Sequence, residues 1–299
     1  MTAPGSGPCV VTGSTGFLGG HLLPALEARG VEVLPLSHRD PALAEPGACA
    51  DWLRAAGAES IVHLAASSSP AAGDARGFYE ANAFLTERLL EGAAEARLPG
   101  RIVLLSATSV YGPSGAEAQT EETPRRPLNH YGASKLLAEV IGEWYRDRLD
   151  IVVARPSNCI GAGQDARFLV PKLVAAYAAR DAVLEMGDTE IARDFIDVRD
   201  AADILARLLT APGPLPGAVN VSSGRATPIR EILGTLEELT GHSPEIRRQE
   251  RFIRKGDMRF QRCDASRALA LGHVPAHDLK DTLGWMLEAA GRATMEHQT

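Results

Sequence analysis

Aromatic side chains are scarce: Phe, Trp and Tyr supply only 5% of the 299 residues, which leaves the packing to Ala, Leu and Val. Lysine is scarcer still, four against 27 arginines, and alanine is abundant, a bias of the kind a GC-rich coding sequence imposes. Cys9, Cys49, Cys159 and Cys263 are scattered, with no CxxC pair and no Cys/His cluster. That spacing excludes a zinc site and a disulfide framework and fits four free thiols in a reducing compartment. No stretch approaches the ~20 apolar residues that a membrane helix needs. Residues 1–8 lack a basic start and run straight into an apolar strand and a glycine turn, so they do not read as a signal peptide, and the expected location is the cytoplasm. Positive charge is in deficit as well: the net charge of -7 repels nucleic acid and anionic membranes and leaves room only for a local basic cleft around a phosphorylated ligand.

What is present is ordinary globular material, 45% apolar and 23% charged, in a chain long enough for one large α/β domain and a smaller companion. Short apolar runs at Cys9–Val11, Val31–Leu36, Ile61–Ala65 and Ile102–Ser106 alternate with longer helical stretches, and Ile151–Arg155 and Ala218–Val221 continue the series. Nearly all-apolar strands separated by helices build a parallel sheet covered on both faces, so the expected fold class is α/β with a doubly wound parallel sheet. The helix that opens near His130 is expected to run toward Leu149. The pattern changes at the Gly/Pro-rich Ala211–Gly217, followed by a predicted helix over Pro228–Thr240 and a basic segment, Arg247–Arg262. These shifts predict two interleaved domains: residues 1–160 and 192–226 in the large sheet, and residues 161–191 and 227–299 in a smaller mixed α/β domain.

Immediately after the first strand, Thr12-Gly13-Ser14-Thr15-Gly16-Phe17-Leu18-Gly19 spaces its glycines by three at the start of a helix. Gly13 permits a tight turn, Gly16 lets backbone approach a pyrophosphate, Gly19 allows close helix packing, and the helix N-terminus supplies free N–H groups. Gly13, Thr15, Gly16, Phe17, Leu18 and Gly19 are therefore expected to hold a dinucleotide. Twenty residues past Gly19 stands Ser37-His38-Arg39. A hydroxyl and a guanidinium there suit the 2'-phosphate of NADP, where NAD calls for an acid on the ribose. Asp40 points the other way, and Arg39 has a bland alternative as a solvated loop charge.

Tyr131 and Lys135 stand four apart at the start of the helix beginning near His130, hence on one helical face. A phenol with a pKa near 10 is a poor acid-base group at neutral pH, and a nearby ammonium is expected to lower it. Such a pair can donate a proton to a carbonyl oxygen, or remove one from a hydroxyl, while hydride moves to or from nicotinamide, and both residues are expected to contact the cofactor as well.

The glycine turn and the Tyr131–Lys135 pair together resemble the extended short-chain dehydrogenase/reductase family, of the NAD-dependent epimerase/dehydratase type, whose usual glycine motif is TGxxGFxG. The resemblance covers nearly the whole chain and implies a Rossmann sheet with a nucleotide-sugar-binding domain. Ser106-Ala107-Thr108-Ser109-Val110-Tyr111-Gly112 is similar to the family's SSxxVYG, whose assisting hydroxyl, four before the tyrosine, is replaced here by Ala107. Thr108 is the first substitute, as a catalytic residue, and Ser106 the second, as a substrate contact. The family's sugar 4,6-dehydratases carry an Asp-Glu-like pair after that hydroxyl; Ser109 and Val110 supply neither acid nor base, which disfavours dehydration.

Ile61-Val62-His63-Leu64-Ala65-Ala66 looks like the family's fourth-strand motif, with Leu64, Ala65 and Ala66 lining the nicotinamide ribose, and Asn82 sits where a helix asparagine usually does. Arg155-Pro156-Ser157-Asn158 resembles RPxN, Arg193-Asp194-Phe195 resembles RDF, and Arg254-Lys255-Gly256-Asp257 resembles RxGD. The resemblance assigns Asn158, Arg193 and Arg254 to a substrate diphosphate, which planar guanidinium groups bind bidentately. For Arg193 the alternative is a salt bridge to Asp197 or Asp200, and for Arg254 a solvated basic face. Asp264-Ala265-Ser266 and Leu271-Gly272 match the family's terminal pattern.

The implied function is NADPH-dependent reduction of the 4-keto group of a nucleotide-diphosphate 4-keto-6-deoxyhexose, dTDP-linked first and GDP-linked next. The alternatives are a nucleotide-sugar 4-epimerase with bound NAD and a non-catalytic NADP-binding sensor. No metal is expected. A homodimer through helices near Leu85–Ala96 and Leu136–Trp144 is what the resemblance implies for assembly.

Overall fold

The computed structural model describes residues 7–37, 39–68, 74–113, 117–252 and 258–296. The chain opens as β1 (Cys9–Thr12), α1 (Phe17–Glu27), β2 (Val33–Leu36), α2 (Pro46–Ala55) and β3 (Ser60–His63). It continues through α3 (Ala75–Tyr79), α4 (Leu85–Ala96), β4 (Arg101–Leu105), α5 (His130–Trp144), β5 (Asp150–Pro156) and β6 (Asn158–Ile160). Then follow α6 (Leu169–Ala178), β7 (Val183–Met186), β8 (Ala192–Asp197), α7 (Val198–Thr210) and β9 (Ala218–Val221). The last elements are β10 (Ala226–Pro228), α8 (Ile229–Thr240), β11 (Glu245–Arg248), α9 (Ser266–Ala270) and α10 (Leu279–Glu296).

Six parallel strands in the order β2-β1-β3-β4-β5-β9 form the main sheet. Successive side chains of a strand point to opposite faces, and the two cores divide accordingly. Cys9, Val11, Val62, Val103 and Val152 pack with α1 and α7, while Val10, Ile61, Ile102, Leu104 and Ile151 pack with α2, α4 and α5. This is the doubly wound Rossmann arrangement. Its strand order reverses beside β1, so the crevice for a ligand lies at the C-terminal strand ends there.

Three expectations change in detail. Ile61–His63 belongs to the third strand of the chain, because only α2 separates it from β2. The helix expected to reach Leu149 stops at Trp144 and gives way to turns. β6 and β8 leave the main sheet and pair in parallel with each other, with β10 antiparallel to β8. β7 and β11 form a second small parallel sheet. A third core, built from Ile160, Leu173, Val174, Leu184, Ile232, Leu236 and Leu283, joins α6, α8 and α10. None of the described helices is long and apolar enough to cross a membrane.

Candidate active site

At the switch point, Gly13 adopts φ +70, and a Cβ on it would meet the backbone N of Ala65 at 2.8 Å. Only glycine lets the turn press this closely on the chain leaving β3. At Gly19 a Cβ would come within 2.4 Å of the Gly13 carbonyl oxygen, so the third glycine seats α1 on the turn. α1 begins after Gly16 with no side-chain cap, which leaves its first N–H groups for an anion, and Thr15 and Gly16 are exposed beside them. The arrangement fits a pyrophosphate. Phe17 is half-buried against His21, and Leu18 packs into the α1/α7 core, which leaves only its backbone to face the turn.

Ser37 and Arg39 are exposed at the end of β2, and the Arg39 N–H donates to Ser37 Oγ at 3.2 Å. Asp40, whose charge opposed the reading of this loop, is committed locally: its carboxylate accepts the Ala42 N–H at 2.9 Å and caps a single helical turn. Arg39 makes no ion pair among the described residues, and His38 lies outside them. Leu64 and Ala65 are buried and Ala66 is exposed.

A buried relay connects the glycine turn to the helix that carries Tyr131. Thr86 spends its hydroxyl proton on the Asn82 carbonyl (2.7 Å), so His63 Nε2 must donate to Thr86 Oγ1 (3.0 Å). His63 Nδ1 then accepts from Thr12 Oγ1 (2.7 Å), which itself accepts the Ala65 N–H. Asn82 lies in a π-helical stretch, Glu80–Phe84, that turns its amide to clamp both backbone groups of Ser67 and to donate to Ser134 Oγ. Ser134 donates to the Tyr131 carbonyl at 2.8 Å.

Burial, aided by the Lys135 charge, pushes His63 down to about 3, so the imidazole is neutral. The unfolded chain binds this proton below about 6.5 and the folded chain does not. Stability attributable to His63 is therefore complete above pH 6.5 and is lost as pH falls toward 3, on the order of 5 kcal/mol. Urea midpoints across that window are expected to fall less steeply in His63→Asn than in the wild type; parallel slopes would exclude His63 as the source.

Asn129 caps α5 by accepting the Gly132 N–H at 2.9 Å, which sets Tyr131 in the first turn, half-buried, its ring 5.9 Å from Phe78. One turn on, Lys135 is buried and donates from Nζ to the Leu105 carbonyl at 2.8 Å, at the end of β4. The expected lowering of the phenol does not occur. Burial pushes Tyr131 up to about 12, with the Cys159 thiol acting in the same direction, and burial brings Lys135 down to about 8 against the pull of Glu139. The ammonium is turned onto a backbone carbonyl, and at neutral pH Tyr131 is a protonated phenol: a proton donor.

Of the hydroxyl candidates, Ser106 is drawn into a buried ion cluster, where it donates to Glu139. Arg155 grips the same carboxylate with two bonds of 2.9 and 2.7 Å, and Arg125 adds a third at 2.9 Å. That engagement commits the Ser106 hydroxyl proton within the protein. Thr108 is buried and its Oγ1 accepts from Gln261 Nε2 at 3.2 Å. A groove of about 840 Å³ lined by Arg125, Glu139, Arg155 and Arg267 opens here, and its lining includes neither Tyr131 nor Lys135.

On the facing side Asn158 is exposed and donates to the Asp194 carbonyl at 2.8 Å, while the half-buried Arg193 donates to the Ala192 carbonyl at 3.0 Å. Nearby, Asp197 holds Arg199 at 2.7 Å, and Asp200 accepts the N–H groups of Ala276 and His277. Between Asn158 and Arg193 the buried Asp194 gathers the hydroxyls of Ser157 and Ser223 and the N–H groups of Ser223, Gly224 and Cys263. It ties β8 to the ends of β5 and β9. Asp194, Glu139 and the His63 relay carry the site's geometry, and the sequence reading named none of them as functional. Arg254 lies outside the described residues.

Residues 9–222 match the NAD dependent epimerase/dehydratase family. The chain is 33% identical to the GDP-6-deoxy-D-talose 4-dehydrogenase of Aggregatibacter actinomycetemcomitans over 87% of its length and 89% of that protein's. It is 35% identical to the dTDP-6-deoxy-L-talose 4-dehydrogenase (NAD(P)(+)) of Kitasatospora kifunensis, covering 82% of this chain and 84% of the relative. Among solved structures, RMD from Pseudomonas aeruginosa complexed with NADPH superimposes with a TM-score of 0.83 at 29% identity, over 96% of this chain and 99% of that one.

Proposed function

Because the chain belongs to the NAD dependent epimerase/dehydratase family, we propose that it is an NADPH-dependent reductase of the 4-keto group of a nucleotide-diphosphate 4-keto-6-deoxyhexose, dTDP-linked first and GDP-linked second. The observation that carries this reading is Tyr131 one helical turn from the buried Lys135, on a helix tied through Ser134, Asn82, Thr86 and His63 to Thr12 of the glycine turn. Support for the sugar comes from the two relatives named as 4-dehydrogenases of 6-deoxytaloses, enzymes whose reverse reaction is a C4 ketoreduction.

The cofactor, when bound, supplies hydride to C4. Tyr131 gives its phenolic proton to the oxygen that becomes negative there, a transfer that a phenol held near 12 performs readily toward an alkoxide. Lys135 holds the ribose. Asn158, Arg193 and Arg254 take the substrate diphosphate. The interleaved domains and a homodimer through α4 and α5 belong to the same reading, and Trp144, 64% exposed at the end of α5, with Phe84 just before α4, supplies apolar surface for the contact.

Selection of NADPH rests on Arg39 and Ser37, now that Asp40 is accounted for as a cap. Arg39→Ala is expected to raise KM for NADPH by about 10- to 100-fold, the worth of a charge-assisted hydrogen bond, and to leave KM for NADH within twofold. An equal rise for both would remove Arg39 from the 2'-phosphate. The reading as a whole is tested by loss of NADPH absorbance with dTDP- and GDP-4-keto-6-deoxyhexoses. Purified protein that carries tightly held NAD, interconverts sugar epimers and consumes no NADPH would be the 4-epimerase instead.

A further inference from the structure

The chain leaving β4 presents Ser106, Ala107, Thr108 and Ser109 in succession, directly against the first turn of α5. Two of the three hydroxyls are engaged within the protein: Ser106 donates to Glu139, and Thr108 accepts from Gln261 and is hydrogen-bonded to the Cys263 thiol. Ser109 Oγ is enclosed and has no hydrogen-bond partner. Its backbone is fixed beside the catalytic helix: a Cβ on Gly132, the residue after Tyr131, would stand 2.7 Å from the Ser109 carbonyl oxygen. The other enclosed, unpaired side-chain atoms among the described residues lie elsewhere. Ser60 begins β3, at the opposite end of the strands; Gln164 follows β6; Ser222 faces a cavity of about 440 Å³ near the start of α10. A buried hydroxyl without a partner lowers stability, and one kept on the segment that packs against the first turn of α5 is available to a partner that arrives with the ligand.

We infer that Ser109 supplies the hydroxyl that hydrogen-bonds the reacting sugar oxygen beside Tyr131, in the role that Ala107 leaves empty and in preference to Thr108 or Ser106. A carbonyl oxygen has two lone pairs; Tyr131 addresses one and Ser109 the other, and as hydride reaches carbon the Ser109 bond strengthens with the developing charge. Ser109 loses no proton in the step. This assignment rests on the proposed ketoreduction.

The test compares Ser109→Ala, Thr108→Val and the wild type in steady-state NADPH oxidation with the 4-keto sugar and in thermal unfolding. Ser109→Ala is expected to lose about 100-fold in kcat, the effect of deleting one donor to a developing oxyanion. Its Kd for NADPH is expected to stay unchanged, and its Tm to rise by about 2 °C, because the variant sheds an unpaired buried hydroxyl. Thr108→Val is expected to lose at least tenfold less. A role that is merely structural would lower Tm together with activity. Wild-type kcat in Ser109→Ala, a lowered Tm, or a larger loss in Thr108→Val would overturn the assignment while leaving the ketoreductase standing. A wild type inert toward every 4-keto sugar would fail the ketoreductase itself, and the Ser109 assignment with it.

Discussion

Tyr131→Phe is expected to reduce kcat for sugar reduction by about 10³-fold, within the range for loss of a positioned acid. The substitution removes one oxygen. It keeps the ring whose partner is Phe78 at 5.9 Å, and it leaves the Asn129 cap and the Ser134 bond to the Tyr131 carbonyl as they are. The fold is therefore undisturbed, and stability should match the wild type. Burial keeps the phenol protonated up to about 12, so the wild-type reductive rate should show no limb from Tyr131 below that pH. Stopped-flow measurement of a single turnover separates the loss in chemistry from product release. A variant within tenfold of wild type would leave the proton to another donor.

Replacing Glu139 by alanine should have the largest effect on stability, about 3–5 kcal/mol, as expected when one partner of a buried ion pair is removed. Glu139 is 1% exposed, and its carboxylate accepts from Arg155, Arg125 and Ser106. Burial alone would push this carboxyl up, but Arg155 outweighs it and holds Glu139 below the usual carboxylate range. Alanine would leave Arg155 in the interior with only Tyr111 and the Glu121 carbonyl as partners. A loss of this size is a large share of a typical folding free energy. Glu143→Ala, on the exposed rim of the same helix, should change stability by less than ~0.5 kcal/mol, because its pair with Arg125 is solvated. Urea denaturation of both variants decides it: similar midpoints would mean that the cluster does not anchor α5 against β4 and β5.

That cluster also shows where the sequence was legible and where it was not. The glycine turn and the apolar strands announce the main sheet because their geometry is local: spacing by three at a strand-helix junction, and residues buried on both faces. Tyr131 and Lys135 share a helical face for the same reason. Their electrostatic relation is not local, since the Leu105 carbonyl, 30 residues away in sequence, takes the ammonium and leaves the phenol to burial. The charge of Asp40 looked like a rival to Arg39 until the turn that it caps was in view. The sequence ranks Thr108 ahead of Ser106 and passes over Ser109, and only Glu139 and Gln261, brought in from α5 and from the chain before α9, show which protein groups engage the first two. No pattern in residues 80–84 signals the π-helical turn that aims Asn82.

The most direct test of the central claim is transfer of label from NADPH carrying deuterium at the reactive C4 position of its nicotinamide to a nucleotide-linked 4-keto-6-deoxyhexose, with the product read by NMR and mass spectrometry. The account predicts one deuterium per molecule, bound to C4 of the sugar, in step with NADPH oxidised, and no such product from Tyr131→Phe at a comparable rate. A product epimerised at C4 that carries no deuterium, or turnover that leaves NADPH untouched, would contradict it.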